Sequence, residues 1–414
     1  GDVPWLAERW SMDGNDYTFT LFADAQFQDG VPLTTADVAF TLDYYQEHPP
    51  VSNSLGVGDG YLVDHYTVVD EQTITITVKE ANADTLSNLG SFVILPKHIW
   101  ENVDDPNSYT GEGYLTGSGA YACTAYDGAT GSYEFTAFDG WCNGEQAAEK
   151  IQFVPVSDPL LAFESGEIEG NLVKNSLYSV PAMVMNENNE YLQDIEVRKA
   201  IAHAVNWSAV GEIAWGSLQT SADSHWPAST SYYVSHEGYT YDPDLAVQIL
   251  KDAGYDPSEM SFYYIAVSSN AQEMRVMEAV QGYLGDIGIT VECASYELNT
   301  ALPYYFAGEN DLAILNSTNG LNDVWSIYSA TYNGLFVDRG LSDPQYRALL
   351  EEGLNTVDPE ARAEAYRKLD DWLYENYWFL PYCEIQEAWC HNDRIAEMKM
   401  ASSNFGCLGD IKLA

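Results

Sequence analysis

Two hydrophobic periods alternate along the chain. After Tyr191 the apolar positions Val197, Ala200, Ile201 and Ala204 fall three and four apart, which predicts one buried helix face. Asp194 stands where an N-cap belongs, ready to accept the free N–H groups of the first turn. Asn206 repeats the signal for a second, short helix buried through Val210, Ile213 and Ala214, and Gly216 is placed to end it. Elsewhere the period is two: residues 16–22, 73–79 (TITITVK), 133–138 and 151–156 predict strands. Thr34-Thr35-Ala36-Asp37 reads as a capping box opening a helix with a Val38, Leu42, Tyr45 stripe, stopped by Pro49-Pro50. Residues 159–164 predict a short helix ending at Ser165-Gly166, and 182–186 a strand.

From Asp242-Pro243 onward strands and helices interleave. Helices are expected at 243–252, 272–286, 343–356 and 359–376, and strands at 261–267, 289–296, 312–315 and 379–381. Such alternation implies a mixed α/β sheet. A chain of 414 residues exceeds one hydrophobic core, so two or three domains are expected.

Charge narrows the partners. Seventeen basic against 63 acidic residues give a net charge of −46, which repels nucleic acid and anionic lipid alike. No apolar run approaches the ~20 residues that span a bilayer. No signal peptide is visible at Gly1, which reads as a mature or trimmed chain. Six cysteines permit disulfides. Cys123 and Cys142 lie on strand-like runs joined by a Gly-rich turn, so a disulfide between them is expected.

Motifs of catalysis are missing: there is no G-x-S-x-G, H-E-x-x-H or P-loop. Gly56 to Gly60 is glycine-rich but lacks the flanking strand and helix of a nucleotide site. Cys383, Cys390 and His391 lack a fourth ligand at zinc spacing. No cofactor and no metal are therefore expected. Aromatic residues gather in connecting segments, among them Trp226, Tyr232-Tyr233, Tyr304-Tyr305 and Trp325, as a solute-binding cleft requires.

The signature helix carries a more specific pattern, D-x-x-V-R-x-A-x-x-x-A-[VI]-[ND], from Asp194 to Asn206. It resembles the oligopeptide/dipeptide/nickel-type extracellular solute-binding proteins of ABC importers, family 5. The segments L-A-E-R-W (6–10), F-x-D-G-x-P-L-T-x-x-D-V (27–38), I-L-P-K-H-I (94–99), G-S-G-A-Y (117–121) and W-C-N-G (141–144) extend the resemblance over nearly the whole chain, with Ala120 in place of the usual proline. Two departures stand out. The roughly fifty residues expected before L-A-E-x-W, with the first strand of the main sheet, are not in the sequence, and the segment between Gly170 and residue 182 is short.

The resemblance implies a periplasmic-binding-protein-like α/β fold: two lobes with mixed sheets and a small additional α+β domain. Residues 1–115 would form that small domain of lobe 1, 116–189 with 384–414 the main domain of lobe 1, and 190–383 lobe 2, with crossings near 187–193 and 378–386. It implies an extracytoplasmic protein (periplasm or cell surface, lipid-anchored when full-length) that delivers a short peptide or other small solute to ABC importer permease subunits, without chemistry. Ligand contacts carried over are Asn186, Trp226, Arg275, Leu302, Tyr305, Asn316, Ser317, Asp323 and Trp325. Of these, Asn186, Tyr305, Ser317 and Trp325 would line one cleft, with Arg275 on a solute carboxylate and Asp323 on its amine. Ser317 stands where peptide binders usually carry tryptophan, so an oligosaccharide or a metal complex remains an alternative cargo. A secreted peptide or glycan hydrolase is the alternative from another class.

Overall fold

The early alternating runs build an antiparallel sheet. In the computed structural model all residues are described except 1–3, 51–53, 58–59, 107–108, 155–161, 164, 167–170, 316–340, 342, 392 and 398–411. Strands β1 (Ala7–Asp13) and β2 (Asp16–Leu21) are followed by helix α1 (Thr35–Glu47), the short β3 (Gly56–Val57) and β4 (Gly60–Tyr61), then β5 (Val63–Val68) and β6 (Thr73–Val78). The sheet runs β1-β2-β6-β5. Ile74, Ile76 and Val78 are buried while the threonines between them stay half-exposed, as period two demands. The expected capping box is formed: Thr34 caps α1, and Asp37 accepts the Thr34 N–H at 2.9 Å. Val38, Leu42 and Tyr45 pack with Phe27, Leu33 and the sheet isoleucines in one core. Buried Asp37 also accepts the Lys97 N–H at 3.1 Å, fixing the segment after helix α2 (Thr85–Leu89) where helix α3 (Lys97–Trp100) begins.

A second antiparallel sheet follows, β7 (Tyr121–Asp127), β8 (Ser132–Ala137) and β9 (Lys150–Phe153). Here the disulfide expectation is corrected, because Cys123 and Cys142 are both free. Cys123 pairs across the sheet with Phe135, whereas Cys142 lies beyond the end of β8 and packs against the α1 core. The strand that would have brought it opposite Cys123 stops at Ala137.

The chain after β10 (Asn171–Ser179) builds a five-stranded sheet. Its members are β11 (Ala182–Met185), β13 (Ser261–Val267), β14 (Thr290–Tyr296), β15 (Leu312–Leu315) and β16 (Phe379–Pro381), in the order β14-β13-β15-β11-β16. Strands β13, β14 and β15 run parallel, and β11 is antiparallel to both its neighbours. The short β12 (Gln219–Ser221) pairs instead with β17 (Cys383–His391), and β18 (Ile395–Glu397) with β19 (Lys412–Leu413).

Helices α4 (Ile195–Ala204) and α5 (Trp207–Trp215) are the signature pair. Their caps are as read from sequence: Asp194 accepts the Glu196 N–H at 2.9 Å, and Asn206 the Ala209 N–H at 3.1 Å. Gly216 takes φ 54°, a left-handed turn that a side chain would resist. Val197, Ala200, Ile201 and Ala204 are wholly buried. Ile213 is not, with 49% exposure, because the buried face of α5 centres on Trp207, Val210, Gly211 and Ala214 and leaves Ile213 at its margin. Arg198 is buried in the same core: its guanidinium lies 3.7 Å over the Trp378 ring and donates to the carbonyls of Leu192, Gln193 and Asn376. Helices α6 (Pro243–Asp252), α7 (Ala271–Asp286), α8 (Leu298–Ala307), α9 (Pro344–Asn355) and α10 (Pro359–Asn376) complete the unit.

Two compact units result, one from the residues up to Leu172 with most of the chain from Cys390 on, the other Val173–Trp389. In this division the chain leaves the first unit after Leu172 and returns to it after Trp389. Strand β11 pairs with β15 and β16 inside the second unit's sheet.

Candidate functional site

In open α/β sheets, solutes bind beyond the carboxyl ends of the parallel strands. Here those ends are Val267, Tyr296 and Leu315. The backbone N–H of Val267 donates to Glu273 Oε2 at 3.2 Å, and Glu273 is itself drawn in by Asn270, whose side chain caps α7. The Tyr305 hydroxyl lies 3.0 Å from the Ile265 carbonyl oxygen and 3.2 Å from Glu273 Oε1. Burial pushes the Glu273 carboxyl above its ordinary range, against the hydrogen bonds it accepts from Val267 and Tyr305.

Around this buried pair the strand ends carry a polar and aromatic rim. Ser268 donates to Glu297 at 2.9 Å, and Tyr296 stacks on Tyr304 with ring centres 4.9 Å apart. Leu302, half-buried, packs on the cluster of Ile265, Ala301 and Tyr305. Leu302 and Tyr305 thus lie together on α8.

The other carried-over residues do not join them. Asn186 follows β11, whose antiparallel register puts Met185 opposite Leu312, so it lies at the amino end of β15. Its side-chain amide donates to the carbonyls of Asn310 at 2.8 Å and Gly308 at 3.3 Å, and its oxygen accepts the Asn188 N–H. These bonds brace the turn before β15. Arg275 sits two residues past Glu273 on α7, about 200° around the helix. Its guanidinium donates to the Ala214 carbonyl on α5 at 3.3 Å, away from Tyr305. Trp226 is buried in the main core, its indole N–H donating to the Tyr366 carbonyl at 3.1 Å, and it lines a cavity with Pro381, where β16 ends level with Leu315 of β15. Asn316, Ser317, Asp323 and Trp325 lie outside the described residues.

Sequence reading missed Glu273, although Asn270-x-x-Glu273 has capping-box spacing and could have flagged it. It also missed Asp370. That carboxylate is buried on α10 and accepts four hydrogen bonds, from Ser224 Oγ (2.7 Å), His225 N (3.0 Å), His225 Nδ1 (2.7 Å) and His236 Nε2 (3.1 Å). Burial would raise its pKa, but the bonds from His225 and His236 prevail and hold it at about 2. An acid within the apolar stripe of Tyr366, Leu369 and Leu373 was the available signal.

Among the described residues no group of three or more His, Cys, Asp or Glu side chains is placed to hold a metal ion, and no helix is long and apolar enough to cross a membrane.

Comparison with known proteins agrees with this architecture. The glutathione-binding protein GsiB of Salmonella choleraesuis is 24% identical over 414 aligned residues, spanning 91% of this chain and 79% of that protein. NikA from Brucella suis, solved in complex with Fe(III)-EDTA, superposes with a TM-score of 0.82 at 21% identity, covering 99% of this chain and 91% of NikA. DppA from Helicobacter pylori, solved with the peptide STSA, gives 0.80 at 18% identity, covering 99% and 89%. At these identities the solved structures establish the fold. The family assignment comes from the sequence: residues 3–335 match the description of bacterial extracellular solute-binding proteins, family 5 middle region. With most of its length matched, the chain belongs to the family 5 solute-binding proteins of ABC transporters.

Proposed function

We propose that the protein captures a short peptide outside the cytoplasm and delivers it to an ABC importer permease, with no bond made or broken. The family match over residues 3–335 carries the import role, and the peptide class rests on relatives named for glutathione and for a bound tetrapeptide. The proposed solute site takes Leu302 and Tyr305, at the carboxyl end of the parallel strands, and on the family resemblance alone Asn316, Ser317, Asp323 and Trp325. Asp323 is the proposed partner of the peptide ammonium. Asn186 and Arg275 are left outside it, since their polar groups engage the protein's own carbonyls elsewhere.

Calorimetry of the purified chain with di- and tripeptides, then with cello- and xylo-oligosaccharides, tests the reading. Peptide binding without turnover is expected, with Asp323→Asn weakening it by at least about tenfold, as for losing a hydrogen bond to a charged group. A protein that ignores every peptide and takes a neutral oligosaccharide overturns the peptide class and leaves the import role. Peptide hydrolysis during the titration overturns both. Lipid attachment of the full-length protein, the finer part of its location, is tested by metabolic labelling with palmitate.

A further inference from the structure

Helix α8 is poorly equipped to hold its place alone. Pro303 stands inside its ten residues and removes a backbone donor, and Glu297 at its N-cap makes no side-chain bond to the first turn. Its burial is slight as well. Ala301 and Tyr305 are buried with Ile265 in a small cluster apart from the unit's main core, while Leu298 stays exposed.

Helix α7 is anchored differently. Val276, Met277, Val280 and Leu284 sink one face of it into the main core, and the Asn270 side chain caps its first turn at the Glu273 N–H. Glu273 therefore projects from a fixed frame. Its carboxylate is buried, with Oε2 on the Val267 N–H at the end of β13 and Oε1 3.2 Å from the Tyr305 hydroxyl. That hydroxyl also lies 3.0 Å from the Ile265 carbonyl oxygen, two residues back along the same strand. One carboxylate thus ties α8 to α7 and to the end of β13. Removing it would leave the Val267 N–H unpaired where water is scarce, and a buried donor without an acceptor keeps its full desolvation cost.

We propose that Glu273 is a positioning residue that seats α8, and with it Leu302 and Tyr305, at the carboxyl end of the parallel strands. The consequence for cargo rests on the solute site proposed above; the seating of α8 does not.

The test is hydrogen exchange on the whole chain, read by mass spectrometry. Glu273→Leu keeps the bulk and removes both acceptor oxygens. In it the amides of α8 should exchange at least about tenfold faster, while those of α4 and α10 keep the wild-type rate. Glu273→Gln should bring α8 back to within about threefold of wild type, because its amide oxygen can accept the Val267 N–H and its NH2 group can donate to the Tyr305 oxygen. Tyr305→Phe removes the other half of the contact and should loosen the same amides several-fold; it decides the matter if Glu273→Leu does not fold. In calorimetry with the same di- and tripeptides as above, Glu273→Leu should bind at least about tenfold more weakly and Glu273→Gln nearly as before. A wild type that binds no peptide overturns the peptide reading and leaves the exchange rates to decide the seating of α8. Unchanged exchange in α8, loosening spread evenly over α4 and α10, Glu273→Gln as loose as Glu273→Leu, or an unaltered peptide affinity in Glu273→Leu overturns the proposal.

Discussion

Replacing Asp370 by asparagine is the sharpest test of what holds the second unit together. Both Asp370 and its partner His225 have fully buried side chains, and the His225 ring bridges onward from Nε2 to the Phe379 carbonyl at 2.9 Å. Asparagine keeps the shape but turns one acceptor into an NH2 group facing donors from Ser224 and His236 or from His225. Breaking a buried charged pair from one side costs about 3–5 kcal/mol. Part of that has an independent check. A carboxyl held near 2, against 3.8 unfolded, contributes about 2 kcal/mol at neutral pH. Because the folded value is depressed, this contribution is complete above 3.8 and disappears as pH falls through about 2. Urea unfolding followed by tryptophan fluorescence is the assay, since Trp226 donates its backbone N–H to Ser224 Oγ within the same network. Asp370→Asn should lose about 3–5 kcal/mol at pH 7, and the gap from wild type should narrow as the pH is taken below 4. A loss under about 1 kcal/mol, the worth of one ordinary hydrogen bond, would refute the reasoning.

Other expectations follow from neighbouring features. Burial lowers the His236 pKa, but hydrogen bonding to Asp370 and the charges of Asp370, Asp371 and Asp223 raise it above 6.5. Its stabilisation is therefore complete below 6.5 and lost as pH rises through the higher folded value; His236→Gln should abolish that part of the pH dependence of the urea midpoint, and an unchanged profile would count against it. A Cβ on Gly353 of α9 would fall inside the Tyr366 ring of α10, so Gly353→Ala should cost about 1–3 kcal/mol in the same assay. If the midpoint holds, the two helices are not as close as described. Cys123 and Cys142 should both react with iodoacetamide in the denatured, unreduced protein; labelling that requires prior reduction would restore a disulfide.

What was legible in the sequence was local. Asp194, Asn206 and Thr34 declare their caps because each bond closes within three residues, and TITITV shows its inner face by alternation alone. The Asp370 network was hidden because Ser224 and His225 lie about 145 residues away, and only the folded sheet brings them together. Arg275 was misplaced for a subtler reason. It was carried over by resemblance alone, and only the folded helix shows its guanidinium turned to the Ala214 carbonyl of α5. Asn186 looked like a ligand contact because an amide closes a strand there; the carbonyls it serves belong to a turn more than 120 residues later.

The interior place of β11, between two strands made much later, also sets a timetable for synthesis. Residues 182–185 leave the ribosome long before either of their sheet partners, and Arg198 must wait 178 residues for the Asn376 carbonyl. At roughly 5–20 residues per second, that is about 10–40 seconds during which Met183 and the signature helix have no finished surface to cover them. The second unit thus stays unfinished until the last long helix is made, its early segments open meanwhile to capture by a chaperone or an export factor.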